Sequence, residues 1–166
     1  NRATFKDGQT RIGNHNFFME GVHVSNHTKI GDYCTFGYGT KVAGDCVISS
    51  GIMFSSSVII NPGVRVGGGS LITSGVRISK DVPPFIVATH NPVAYGGLNV
   101  KLLESSGTPD NIITHIANAY RLVFHGKTST HDAIRQIKEQ VPDSKEIRTI
   151  VKFLEGTQLG IITKTT

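Results

Sequence analysis

Every sixth residue from Ile12 is bulky and apolar: Ile12, Phe18, Val24, Ile30, Phe36, Val42, Ile48, Phe54, Ile60, Val66, Ile72 and Ile78. An amphipathic helix repeats at 3.6 residues and a half-buried strand at two, so neither explains the spacing. The residue after each is almost uniformly small, from Gly13, Ser25 and Gly31 to Thr73 and Ser79. The residue four places after each is restricted as well, running Asn16, Val22, Thr28, Cys34, Thr40 and Cys46 through to Val82. A hexapeptide period of this kind marks a parallel β-helix, in which each hexapeptide makes one short strand and one corner. Three hexapeptides close a triangular coil of about 18 residues, so twelve give about four coils. The spacing therefore predicts a β-solenoid over residues 1–84.

Composition agrees with that backbone. The chain has 166 residues, room for one domain, with 19 Gly and no Trp. Cys34 and Cys46 both fall on the second restricted column, which makes them small core filler. Two cysteines are too few for a disulfide framework, and they form no metal motif. No apolar run approaches the roughly 18 residues of a membrane span, and the start carries no secretory signal. A cytoplasmic protein is expected. The net charge of +5 admits acidic partners, but no basic, aromatic-studded segment points to nucleic acid. The chain begins at Asn1 with the repeat soon under way, so further coils or a cap are expected before it.

The repeat is expected to stop at "DVPP", residues 81–84, where two prolines end the strand pattern. A loop over 85–107 should follow, and then a helical domain over 108–166. Thr108 is placed to cap a helix with Pro109 at its first position, continuing through "DNIITHIANAYRLVF". Two more helices are expected near 129–140 and 144–155, the last closing at Gly156. Such helices would cover the open end of the solenoid.

The order of "DVPPF", "HNP", "GGLN" and "IANAYRLVF" behind a hexapeptide solenoid resembles the UDP-N-acetylglucosamine O-acyltransferases of lipid A biosynthesis. That resemblance spans essentially the whole chain, on the C-terminal two-thirds of a family member. It implies a left-handed parallel β-helix with a C-terminal α-helical bundle, assembled as a homotrimer with clefts between neighbouring prisms. It implies transfer of an acyl chain from acyl carrier protein to a nucleotide-activated amino sugar, with no cofactor. The family's segment resembling "HIAHDCTVG", laid on "HVSNHTKIG", puts its first histidine on His23, its catalytic histidine on Asn26 and its aspartate on His27. Two further family histidines fall on Asp45 and Asn61. Gly44 matches the glycine whose N–H serves the oxyanion, and Asn99 matches a nucleotide-contacting asparagine. His90 lies in the loop beside the implied nucleotide pocket. The basic pair that holds the carrier protein falls on Ser105 and Ser106, next to Glu104, so weak use of carrier protein, or use of acyl-coenzyme A, is expected.

An amide does not titrate, so Asn26 cannot be a general base. Residues 18 apart sit one coil above another, about 4.8 Å away. His27 and Asp45 are 18 apart, which predicts a stacked histidine–carboxylate pair in which Asp45 orients His27. The competing reading of that pair is a surface ion pair at a coil corner. His27 with Asp45, or else His23, is expected to stand in for the usual base; if His27 is the base, His23 is expected to contact substrate, as are Asn26, Asn61, His90 and Asn99. No metal is expected, since His23 and His27 lack a third stacked ligand. His115, His125 and His131 are expected as exposed polar residues of the helical tail. Two functions remain open: an acyltransferase with an altered catalytic site, and a non-catalytic relative that binds a sugar nucleotide or serves as a structural trimer.

Overall fold

The computed structural model describes residues 3–5 and 9–164. β1 (Thr4–Phe5), β2 (Arg11–Ile12), β3 (Phe17–Phe18) and β4 (His23–Val24) open a series of two-residue strands. From β2 onward one strand starts every six residues. The series continues with β5 (Lys29–Ile30), β6 (Thr35–Phe36), β7 (Lys41–Val42), β8 (Val47–Ile48) and β9 (Met53–Phe54). It ends with β10 (Ile59–Ile60), β11 (Arg65–Val66), β12 (Leu71–Ile72) and β13 (Arg77–Ile78). Every third strand pairs in parallel, giving three faces: β1-β4-β7-β10-β13, β2-β5-β8-β11 and β3-β6-β9-β12. This is the parallel β-helix expected from the repeat, with the left hand that the family resemblance implies.

The inward column explains the period. Phe18, Phe36 and Phe54 stack on the third face with ring centroids 4.8 Å apart at each step. Ten of the twelve periodic residues are buried. Only Phe18 and Ile12, in the first coils, are not. Each such burial contributes about 1.5–3 kcal/mol. The corner residue three places after each apolar one from Ile12 to Ile72 is left-handed, from His15 (φ 59°) and Gly21 (φ 80°) to Gly75 (φ 76°). A left-handed residue every six positions turns the chain sharply without a helix. It also favours Gly, His, Asp and Ser over β-branched residues there. Cys34 and Cys46 are buried at their column, each thiol directed at a carbonyl one coil away. Burial pushes the Cys46 thiol up to about 11.

The prolines do not stop the ladder. Val82 still bridges Val66, and β14 (Ile86–Thr89) runs parallel to β12 with Leu71 opposite Val87. The spacing there is 16 rather than 18, so the last coil is two residues short and Pro84 sits directly on Gly67. A Cβ at Gly67 would meet Pro84 at 2.4 Å. The stretch 85–107, expected as loop, instead carries β14, an antiparallel β15 (Ala94–Leu98) and the short helix α1 (Val100–Ser105). Its Gly-rich "YGGL" hides the strand, because its ladder is supplied by β14 rather than by local propensity.

The helices are α2 (Asp110–Phe124), α3 (Thr130–Gln140) and α4 (Lys145–Glu155), followed by β16 (Thr163–Lys164). Pro109 takes the N-cap position of α2, with no side-chain cap, so Thr108 does not cap it as expected. Asp81 fastens this tail to the prism. Its carboxylate accepts from the Arg65 N–H at 2.8 Å and from the Thr157 hydroxyl at 2.6 Å, and its backbone bonds Gly160 and Ile162. Tyr120, fully buried, donates its hydroxyl to the Pro84 carbonyl.

Candidate functional site

Three prism edges separate the three faces. The first edge, between faces one and two, is built from residues 25–28, 43–46 and 61–64. It holds Asn26, His27, Gly44, Asp45 and Asn61 together on successive coils, with His23 at the start of the strand leading into it. The stacking follows from the 18-residue coil: the Asp45 N–H donates to the Asn26 carbonyl at 3.1 Å. His90 and Asn99 lie elsewhere. His90 sits in the turn over the third edge, where the neighbouring Asn91 amide donates to the Gly75 carbonyl. Asn99 caps α1 and reaches the second edge, donating to the Gly69 carbonyl at 2.9 Å. Both ends of its amide are thus engaged within the fold.

His27 and Asp45 do stack one coil apart, but the expected dyad does not form. Both are exposed, and among the described residues no hydrogen bond or ion pair joins their side chains; the ion pairs present lie in the helical tail. The reason is the backbone. Both occupy left-handed corner positions (φ 59° and 60°), which turn the side chains outward at the apex of the edge.

At the first edge, His23 is the histidine with hydrogen-bonded contacts among the described residues. It lies on β4, half-buried, its side chain on the outer surface of the first face. Nδ1 is 2.5 Å from the Thr4 hydroxyl and Nε2 is 3.2 Å from the Ser25 hydroxyl. Ser25 follows His23 by two positions, so the pleat places both side chains on the same face. Thr4 meets the ring because β1 to β2 spans seven residues instead of six, which sets Thr4, not Phe5, opposite His23. Neither Thr4 nor Ser25 stands out in the sequence. The small residue after Val24 reads there only as corner filler.

The Gly44 N–H makes no hydrogen bond among the described residues, and Gly44 is half-exposed. A Cβ there would meet the Asn26 carbonyl at 3.1 Å, so the two coils approach closely at this point. The Asn26 N–H is likewise unbonded among the described residues. The Asn61 side chain accepts from Arg77 at 3.3 Å. No group of three or more His, Cys, Asp or Glu side chains could hold a metal among the described residues. Ser105 and Ser106 turn their hydroxyls onto the Leu102 carbonyl at the end of α1. Of the tail histidines, His125 and His131 are not buried, while His115 has Nδ1 buried and unpartnered among the described residues.

Comparison with known proteins bears on what this edge is. Residues 81–162 match the family described as Udp N-acetylglucosamine O-acyltransferase, Domain 2, and residues 9–44 match the bacterial transferase hexapeptide. An acyl-[acyl-carrier-protein]–UDP-N-acetylglucosamine O-acyltransferase of Fusobacterium nucleatum is 48% identical over 96% of this chain and 62% of its own length. The same enzyme of Sulfurihydrogenibium is 47% identical over 96% of this chain and 59% of its own. The crystal structure of a UDP-N-acetylglucosamine acyltransferase from Bacteroides fragilis superposes with a TM-score of 0.87 at 41% identity, covering 89% of this chain and 58% of that one. The chain belongs to the UDP-N-acetylglucosamine O-acyltransferase family. It spans about 60% of the length of the curated relatives it matches. Within this acyltransferase family member, the first edge is where a histidine, unspent backbone donors and small side chains coincide. No helix among the described residues is long and apolar enough to cross a membrane.

Proposed function

We propose that the protein is a cytoplasmic acyltransferase that moves an acyl group from a thioester donor to a UDP-activated amino sugar, with His23 as its base. The observation that carries this reading is the first edge. There an imidazole held by hydroxyls at both nitrogens faces outward three residues before the corner at Asn26, over which Gly44, on the next coil, leaves its N–H uncapped among the described residues. A base and a carbonyl-polarising donor are what acyl transfer to a hydroxyl or amine requires. His27 and Asp45, exposed and unpaired, are corner residues in this reading, while Asn26 and Asn61 contribute polar contacts to substrate. The site is altered relative to the family pattern, with the amide of Asn26 where the resemblance implies the base.

A prism edge is convex and a small ligand needs a concave site. A homotrimer supplies one, by setting the first edge of one copy against a neighbour. The exposed apolar residues favour such packing: Phe17 (60% exposed) and Met53 (50%) lie on the third face, and Tyr33 and Tyr38 flank it. His90 and Asn99, on the other two edges, would reach a substrate only through that packing. Acyl carrier protein is a weak donor in this reading, because Glu104, exposed beside Ser105 and Ser106, repels an acidic partner.

Mass-spectrometric detection of acyl transfer to UDP-N-acetylglucosamine, with acyl-coenzyme A and acyl carrier protein donors in parallel, tests the proposal. Product that disappears in His23→Ala and persists in His27→Ala supports it. Nucleotide-sugar binding with no product from any donor would leave the non-catalytic reading.

A further inference from the structure

We propose that the C-terminal end of the second edge, where the prism meets α4, binds a phosphate group. The site is separate from the first edge and does not depend on the acyl-transfer reading. The second edge runs between faces two and three, and its turns hold Asn14, Asp32, Ser50 and Gly68 at equivalent positions. In the first turns, each side chain accepts from the N–H of the turn before it. Asp32 accepts from the Asn14 N–H and Ser50 from the Asp32 N–H. Gly68 ends that ladder because it has no side chain. A Cβ built on it would stand 3.9 Å from the Ser50 nitrogen. The Ser50 and Gly68 N–H groups are left unbonded among the described residues.

A cavity of about 420 Å³ lies at this point, between the edge and α4. Arg65 of face two and Lys152 of α4 line it, together with Ser49, Ser50, Gly68 and Thr149. No Asp or Glu among the described residues does so. Arg65 is half-buried, with its guanidinium 4.3 Å from the centre of the Phe153 ring. Its Nη1 donates to the Phe153 carbonyl at 3.2 Å. That carbonyl, near the end of α4, explains why Arg65 lies there, but it takes only one of the guanidinium N–H groups. Among the described residues, neither Arg65 nor Lys152 has a carboxylate partner. A half-buried cation with donors to spare gains from an anion beside it.

The donors fix the class of ligand. Two cations without a carboxylate match the charge of a dianion. The donors come from the prism on one side and from α4 on the other, which suits a tetrahedral group better than a planar carboxylate. A phosphate monoester meets both conditions, and unspent backbone N–H groups are its usual partners. One oxygen would occupy the place a side chain at position 68 would fill, and accept from the Ser50 N–H. The others would face Arg65 and Lys152. A cavity of this volume also has room for the organic part of a small phosphate ester. The bound group would tie α4 to the prism, so binding should stabilise the folded chain.

Calorimetric titration and thermal denaturation of the whole chain test this, with inorganic phosphate, ribose 5-phosphate, and acetate at matched ionic strength. Saturable binding of a phosphate and a midpoint that rises with its concentration are expected, with neither from acetate. Tighter binding of ribose 5-phosphate would make a diffusible organic phosphate the ligand, and equal binding would make it phosphate itself. Lys152→Gln should weaken Kd about tenfold. The fold should persist in that variant, because this exposed lysine has no ion pair to lose among the described residues. Arg65→Gln should weaken binding further. Gly68→Ser should weaken it too, since its hydroxyl would take the Ser50 N–H as Ser50 takes that of Asp32. No saturable binding up to about 10 mM overturns the site, as does binding that Lys152→Gln and Gly68→Ser leave untouched. Either result leaves the proposed acyl transfer standing, and a chain that transfers nothing would still bind phosphate here.

Discussion

Along the second edge, between faces two and three, the first three turns are tied to one another by side chains. The Asn14 N–H donates to Asp32 at 2.7 Å and the Asp32 N–H to the Ser50 hydroxyl at 2.9 Å. His15 and Tyr33 stack beside them with centroids 4.9 Å apart. Along the first edge the equivalent positions are Asn26, Gly44 and Pro62. The first two leave their N–H groups unbonded among the described residues, and proline has none. The backbone path is the same on both edges. A donor spent inside the fold cannot serve a ligand, so these turns of the second edge are a joint and the first edge is a surface with chemistry left in it.

Breaking each edge at its central side chain should separate those roles. The largest effect is expected from His23→Ala, which removes the one imidazole with built partners at the first edge. Transfer should fall by about 10²–10⁴-fold, measured as product formed at saturating donor, while the urea midpoint barely moves. His27→Ala, four residues on, should leave the rate within about twofold of the parent. Should the two variants lose activity equally, the whole corner rather than His23 would be the functional unit. On the second edge Asp32→Ala should do the reverse. It removes a charged acceptor from the Asn14 N–H, lowering stability by about 1.5 kcal/mol without changing kcat.

The sequence made some of this visible and hid the rest, for reasons that differ by residue. The inward column could be read because a buried position tolerates only apolar side chains, and Ile12 through Ile78 repeat it without a gap. The corner column is legible too. Residues 15, 21, 27 and onward hold His, Gly, Tyr, Asp and Ser but no β-branched residue, as a left-handed backbone demands. That pattern places His27 and Asp45 at the apex, where stacking alone does not make a dyad. Thr4 over His23 could not be foreseen, because it depends on a seven-residue step just before the regular repeat begins. The 16-residue last coil at "DVPP" was hidden likewise: prolines signal an end to strands, yet here they shorten a coil against Gly67.

The two cysteines compare the same edges from inside. Cys46 lies beneath the first edge and Cys34 beneath the second, and burial raises both thiols above their ordinary value of 9.0. A thiol held protonated up to about 11 when folded, but only to about 9 when unfolded, contributes stability that is complete below pH 9. That contribution is lost as pH rises through 11. Stability should therefore decline between pH 9 and pH 11, by on the order of 1 kcal/mol per pH unit for Cys46. Denaturant titrations of Cys46→Ala against the parent across that range check it. The variant should start less stable and show the shallower decline. Alkylation at pH 8 should be slow at both sites, and a fast reaction at Cys46 would mean the first edge opens.

The smallest effect is expected where the strongest sequence hint pointed. His27 has φ 59°, a conformation that costs a side-chain-bearing residue roughly 1 kcal/mol and glycine nothing. Gly63 holds the same corner one coil beyond Asp45, at φ 77° with open space where a Cβ would project, so the fold already accepts glycine at this apex. Glycine also makes the unfolded chain more flexible, which offsets part of the gain. His27→Gly should thus shift stability by less than about 1 kcal/mol, in the stabilising direction, and leave transfer unchanged. His27→Val, with a β-branched side chain forced into the left-handed region, should destabilise by more than that and equally leave the chemistry intact. A paired comparison of urea midpoints and transfer rates for the two variants reads both effects at once. If His27→Gly lowers transfer tenfold while its midpoint holds or rises, the apex does work that its exposed, unpaired geometry denies it, and the contrast between the edges would have to be redrawn around His27.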